Sequence, residues 1–120
     1  MSQTKTHNNA DTAVAYYQAM NDKNVDGMAK QLHPNVELIS PMDHIKGKDA
    51  VLEAAQKLFK PIKSIEIHMK VSDADHAVLA YDMKFEEPIG ICRTAAVMTF
   101  RDGLIARNEL FFDASPFHKK

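Results

Sequence analysis

Asp43 and His44 stand side by side in the run Ser40-Pro41-Met42-Asp43-His44, a proline-marked segment that reads as a loop over the end of a strand. A histidine titrates near neutrality and so suits a general base, and a neighbouring carboxylate can orient its ring. Adjacent loop side chains also often point apart, in which case the pair is a hydrated turn. Asn108 is the other polar residue placed for chemistry: it is the one amide on the apolar face formed by Ala106, Leu110 and Phe112. That face is either a plain core or the back wall of a pocket. The six histidines, His7, His33, His44, His68, His76 and His118, show no HxH, HxxxH or HExxH spacing, so no sequence-local metal site is expected. Cys92 has no partner for an internal disulfide and no CxxC neighbour, and it reads as a buried, inert thiol.

The elements that must position these groups follow from periodicity. Residues 93–113 alternate as two strands joined at Arg101-Asp102-Gly103, where Asp and Gly tolerate the positive φ of a tight hairpin. Thr94, Ala96, Met98 and Phe100 share one face. In the second strand Ala106, Asn108, Leu110 and Phe112 face the same way, with Ile105, Arg107, Glu109, Phe111 and Asp113 opposite. Upstream, Leu79, Tyr81, Met83 and Phe85 point inward while Asp82, Lys84 and Glu86 point outward. Ile65, Ile67 and Met69 alternate with Glu66, His68 and Lys70, which leaves His68 in solvent.

The N-terminal half is helical. Asn9 or Asp11 is expected to cap a first helix carrying Ala13, Tyr16, Tyr17 and Met20, and Asn24 to cap a second carrying Val25, Met28, Ala29 and Leu32. Pro34 is expected to stop that helix, with His33 at its C-terminus. A short edge strand over 36–40 ends at Pro41, residues 42–47 form a loop, and a third helix runs over 48–60 to Pro61. Segregated helices and strands give an α+β domain over 11–115, between a polar tail at 1–10 and another at 116–120.

At 120 residues and a net charge of −1, the chain is one domain with no basic field for nucleic acid or an anionic membrane. Residues 1–10 lack the apolar segment of a signal peptide, and no apolar run approaches the roughly 18 residues that span a bilayer. A cytoplasmic location is the expectation.

Tyr16-Tyr17-Gln18-Ala19-Met20, Asn24-Val25-Asp26-Gly27-Met28, Leu32-His33-Pro34-Asn35-Val36-Glu37, Ser40-Pro41 with Gly47, Phe100-Arg101-Asp102-Gly103-Leu104-Ile105 and Phe111-Phe112-Asp113 occur in order. In this the chain resembles the SnoaL-like branch of the nuclear transport factor 2-like superfamily, over residues 11 to 114. The resemblance implies a curved, mostly antiparallel sheet wrapped around the N-terminal helices into a cone with an internal pocket, and commonly a dimer through the outer sheet face. The fold hosts isomerases, dehydratases, cyclases and non-catalytic association domains, so it does not fix the function. Ketosteroid isomerase, a member, needs a carboxylate base and an oxyanion hole of a tyrosine and a protonated aspartic acid. Its tyrosine falls on Tyr16, but its base falls on Ser40 and its acid on Ala96, so steroid isomerisation is not implied.

Within that cone, Tyr16 is expected on the inner helix face, Tyr81 and Asn108 on the concave sheet, Ser40 at the strand end and Asp43-His44 above. Met42, Met83, Met98, Leu110 and Phe112 make the wall apolar and adaptable, which favours a small hydrophobic organic ligand. A cofactor-independent isomerase, cyclase or dehydratase would use Tyr16 as donor to a developing oxyanion and His44, oriented by Asp43, as base. The alternative is a non-catalytic ligand-binding or association domain. A homodimer through the outer sheet face, with Ile105 and Phe111 in the contact, is expected in either case.

Overall fold

The computed structural model describes residues 8–118. Helix α1 spans Asn9–Asn21, and the residue that caps it is Asn8, whose side chain accepts the Asp11 N–H at 2.9 Å. The cap thus lies one residue before the expected Asn9. Residues 1–7 of the expected tail, His7 among them, fall outside the described chain, and residues 9 and 10 belong to α1. Helix α2 spans Val25–Ala29, with the Asn24 side chain accepting the Gly27 N–H at 3.0 Å as foreseen.

Strand β1 then runs Leu32–Ile39. It begins before Pro34, so His33 is a strand residue rather than a helix C-terminus, and its Nδ1 accepts the Asn35 N–H at 3.0 Å. Pro34 sits where the β1 register shifts, between Leu32 and Glu37, which is how a strand tolerates a missing N–H. Strand β2, His44–Lys46, pairs antiparallel with β1, so β1 is interior and the segment read as a loop supplies the edge. Helix α3 covers Lys48–Gln56, ending four residues before the expected Lys60.

The remaining strands are β3 (Ile62–Ser72), β4 (His76–Phe85), β5 (Ile91–Arg101) and β6 (Leu104–Phe111), followed by a short helix α4 (Ser115–His118). The six-stranded open sheet has the order β2-β1-β6-β5-β4-β3, antiparallel throughout except for β1 with β6. Asp102 and Gly103, at φ 56° and 77°, turn the β5–β6 hairpin as anticipated. Register shifts in β1, in β3 and between β5 and β6 bend the sheet around α1. The core lies in that concavity, where Tyr16, Tyr17 and Met20 of α1 meet Leu79, Tyr81, Ala96 and Met98 of the sheet.

The bulges also explain which side chains depart from strict alternation. The shift between Thr99 and Phe100 turns Ile105 into the core, fully buried, instead of onto the outer face. The shift between Ile67 and Met69 leaves Met69 half exposed on the outer face. Asp82 does point outward, but it is only 5% exposed because His68 and Arg93 cover it: His68 Nε2 approaches Oδ2 at 2.9 Å and Arg93 Nε donates to Oδ1 at 3.1 Å. His68 is therefore a paired residue, not a freely solvated one. The C-terminal segment is likewise more than a polar tail, since the Phe117 ring meets Phe85 at 5.4 Å and Phe112 at 5.8 Å, both edge-on.

Candidate ligand cavity

Between α1, α3, the β1–β2 turn and the concave sheet lies a cavity of about 170 Å³. Its size matches an engineered apolar cavity of about 150 Å³ that takes up benzene. The helical wall is Tyr16, Tyr17 and Met20 from α1 with Ala54, Ala55 and Leu58 from the α3 side. The sheet wall is Leu38, Ile45, Tyr81, Met83, Phe85, Cys92, Thr94, Asn108 and Leu110, and Phe112 and Phe117 cover the C-terminal side. Ser40, Met42 and Asp43 form the mouth.

Of the expected site residues, Tyr16, Ser40, Met42, Asp43, Tyr81, Met83, Asn108, Leu110 and Phe112 line this one cavity. His44 does not. Alternation along β2 sends Ile45 to the cavity and His44 outward, where its Nε2 lies 3.1 Å from Glu37 Oε2. The Asp43–His44 dyad therefore does not form, and the histidine base is withdrawn. Met98 is also displaced: it is fully buried near the Asp102–Gly103 end of β5, whereas the cavity lies at the opposite end, beside Cys92 and Thr94.

A cluster of three tyrosines and an amide forms the polar floor. Tyr17 packs edge-on to Tyr16 at 5.0 Å and tilted against Tyr81 at 4.5 Å. Asn108 Nδ2 donates to Tyr17 Oη at 2.9 Å. Tyr81 Oη and Asn108 Oδ1 are buried without a hydrogen-bond partner among the described residues. The Tyr17 and Tyr81 hydroxyls lie close enough for a hydrogen-bond-like contact to shift the pKa of each, but that contact falls short of full hydrogen-bond geometry. Burial raises the pKa of all three phenols. Each is therefore a neutral donor at physiological pH, suited to hydrogen-bond a carbonyl or hydroxyl and unsuited to act as a base. Burial likewise raises the Cys92 thiol, which stays protonated.

Ser40, at the position of the ketosteroid isomerase base, has a different task. Its Oγ accepts the Met42 and Asp43 N–H groups, both at 3.1 Å, and its own N–H donates to the Asp43 carbonyl at 2.8 Å. Ser40 thus fixes the turn that holds Asp43 at the mouth. Asp43 is, among the described residues, the one charged residue lining the cavity. Among the described residues no group of His, Cys, Asp and Glu is arranged to hold a metal ion.

Ile45 and Phe117 are site residues that periodicity did not mark, and Tyr17 and Thr94, though on faces it identified, were not singled out as lining the site. Tyr17 looked like one more member of an apolar stripe, and only its pairing with Asn108, 91 positions away, makes it part of a site. Adjacent tyrosines in one short helix were the available signal, because an α-helix turns too far per residue for both to share a narrow apolar stripe.

The fold and the cavity find parallels among known proteins. A Kribbella flavida protein superposes with a TM-score of 0.84 at 26% identity, covering 90% of this chain and 88% of its own. A candidate ketosteroid isomerase from the same organism gives 0.79 at 18% identity, covering 88% and 77%. A candidate polyketide cyclase from Sinorhizobium meliloti gives 0.76 at 21% identity, covering 83% and 93%. No curated protein matches the chain. The SnoaL-like domain matches residues 13–108, the span that carries both the helical wall and the Asn108 floor. On that match and on the open, curved six-stranded sheet, the chain belongs to the SnoaL-like family and has the nuclear transport factor 2-like cone fold.

Proposed function

We propose that this chain binds a small, mostly apolar organic molecule in the cone cavity. One observation carries the reading: Tyr16, Tyr81 and Asn108, from three different elements, and Ser40 of the β1–β2 turn line a single apolar-walled cavity. Packing alone does not require polar groups to meet there, and a ligand site does. The test is native mass spectrometry of the protein purified without denaturant, followed by titration with single-ring aromatics. A bound organic mass, or saturable binding in the titration, is the expected result. Neither a bound mass nor saturable binding of any such compound would contradict the reading.

A second reading, proton transfer on the bound molecule, is favoured by Asp43. It brings a carboxylate to the mouth three residues beyond the position where ketosteroid isomerase carries its base, and Tyr16 lines the same cavity with its hydroxyl unbonded among the described residues. In this reading Asp43 removes a proton next to a carbonyl and Tyr16 donates to the developing oxyanion. Asp43→Asn is expected to slow deuterium exchange at that carbon of a bound ketone about a hundredfold or more, the usual size of a lost general base. Equal exchange rates would leave binding alone as the function.

The outer sheet face completes the proposal. Met69, Val71 and Phe111 are each more than half exposed there, beside the partly exposed Val78, Val97 and Ala95. This apolar strip is proposed as the homodimer contact, with Phe111 retained in it and Ile105 removed.

A further inference from the structure

The cavity floor holds two polar atoms whose requirements differ. Tyr81 is 1% exposed and Asn108 4%, and neither Tyr81 Oη nor Asn108 Oδ1 has a hydrogen-bond partner among the described residues. Leaving a buried polar atom unpaired is costly, so a molecule that satisfies both is strongly preferred over one that satisfies neither. Tyr81 supplies an O–H and seeks an acceptor. Asn108 Oδ1 is an acceptor and seeks a donor, because its own Nδ2 is committed to Tyr17 Oη at 2.9 Å.

A ketone or a carboxylate offers acceptors only, so it can pair with Tyr81 but leaves Asn108 Oδ1 without a donor. Among the described residues no lysine, arginine or histidine lines the cavity to neutralise an anion. Asp43 sits at the mouth and further disfavours negative charge. An apolar ring without substituents leaves both atoms unpaired. A neutral hydroxyl satisfies both from a single oxygen: it accepts from Tyr81 and donates to Asn108. Tyr81 stacks against Tyr17 at 4.5 Å and Asn108 is bonded to the same Tyr17, so the two orphaned atoms belong to one cluster on the floor. A body the size of one ring fits the remaining space of about 170 Å³.

We infer that the natural ligand carries a neutral phenol- or enol-type hydroxyl on a compact apolar body, bridging Tyr81 Oη and Asn108 Oδ1. This rests on the cavity being a ligand site, as proposed above, and adds the chemistry of the ligand's head group.

Isothermal titration with phenol, anisole and toluene at neutral pH tests it, because the three share a ring and differ in donor and acceptor. Phenol is expected to bind roughly tenfold more tightly than toluene, the combined effect of two net hydrogen bonds. Anisole, which accepts but does not donate, is expected to fall short of phenol. Tyr81→Phe should narrow the gap between phenol and toluene, and Asn108→Leu should remove the advantage of phenol over anisole. Toluene binding as tightly as phenol, or anisole equalling phenol, would overturn the hydroxyl inference and leave the ligand cavity standing. Failure of all three to bind would overturn both.

Discussion

Tyr17 Oη accepts the amide hydrogen of Asn108, and Tyr81 Oη has no hydrogen-bond partner among the described residues, so two similar phenols in one core differ in what their removal costs. Tyr17→Phe strands the buried Asn108 Nδ2 and is expected to lose about 1–3 kcal/mol of stability in urea denaturation. Tyr81→Phe removes an atom that had no partner and is expected to change stability by less than about 0.5 kcal/mol, or to increase it. Equal losses in the two variants would mean that Tyr81 is satisfied within the protein. The chain's three tyrosines are all in this cluster, and burial raises each phenol above its ordinary value near 10. The folded state therefore keeps these protons where the unfolded chain releases them, and stability is retained below about pH 10 and lost above it. Phenolate absorbance should rise only in step with unfolding, as followed by circular dichroism. Phenolate appearing in the folded protein would show an open cluster.

Asp82 carries a second pH dependence of opposite sense. Its hydrogen bond from Arg93, then its contact with His68, holds its carboxyl below the usual range. A carboxyl depressed on folding contributes stability that is complete above the unfolded value of about 4 and is lost as the pH falls through the folded one. Asp82→Asn should accordingly be less stable than the parent at neutral pH, with the gap closing below about pH 4 in urea titrations. A gap independent of pH would assign the effect to packing.

At the scale of elements, the β5–β6 hairpin and the inward face of β4 were legible because long alternating runs and an Asp-Gly turn leave few alternatives. The short elements were not. Strand β2 has three residues and exists because the Ser40 turn folds it back onto β1, a long-range consequence with no periodicity of its own. Missing it placed His44 in the site, when pairing with β1 turns that ring toward Glu37. Bulges were equally invisible, and each moves side chains across the sheet: Ile105 inward, Met69 outward. Much of the site could be read in advance, since Tyr16, Tyr81 and Asn108 sat on faces that periodicity identifies, whereas Tyr17 and Phe117 gained their roles only from partners distant in sequence. Helix α4 shows the same point, because Phe117 closes the cavity against Phe85 and Phe112. Phe117→Ala is expected to cost about 1–2 kcal/mol, below the transfer value of a fully buried aromatic ring because Phe117 is partly exposed, and to speed ligand release in stopped-flow measurements. An unchanged release rate would remove α4 from the cavity's closure.

For the whole molecule, the open sheet presents a concave face filled by α1 and the cavity, and a convex face whose apolar strip has charged residues beside it. No described helix is long and apolar enough to cross a membrane. Sedimentation at micromolar concentration is expected to give twice the chain mass, and Phe111→Glu to give the single mass with the fold intact. A parent protein that sediments as a monomer would contradict the dimer without touching the cavity.

The central claim is that ligand enters the space between α1 and the concave sheet, and the methionines report on it directly. Met20, Met42 and Met83 line the cavity, while Met69 lies exposed on the opposite face. Methyl NMR of carbon-13-labelled methionines during titration with phenol should shift the first three resonances and leave Met69 in place. Saturable shifts confined to Met69, or no shift at any methionine, would contradict the account.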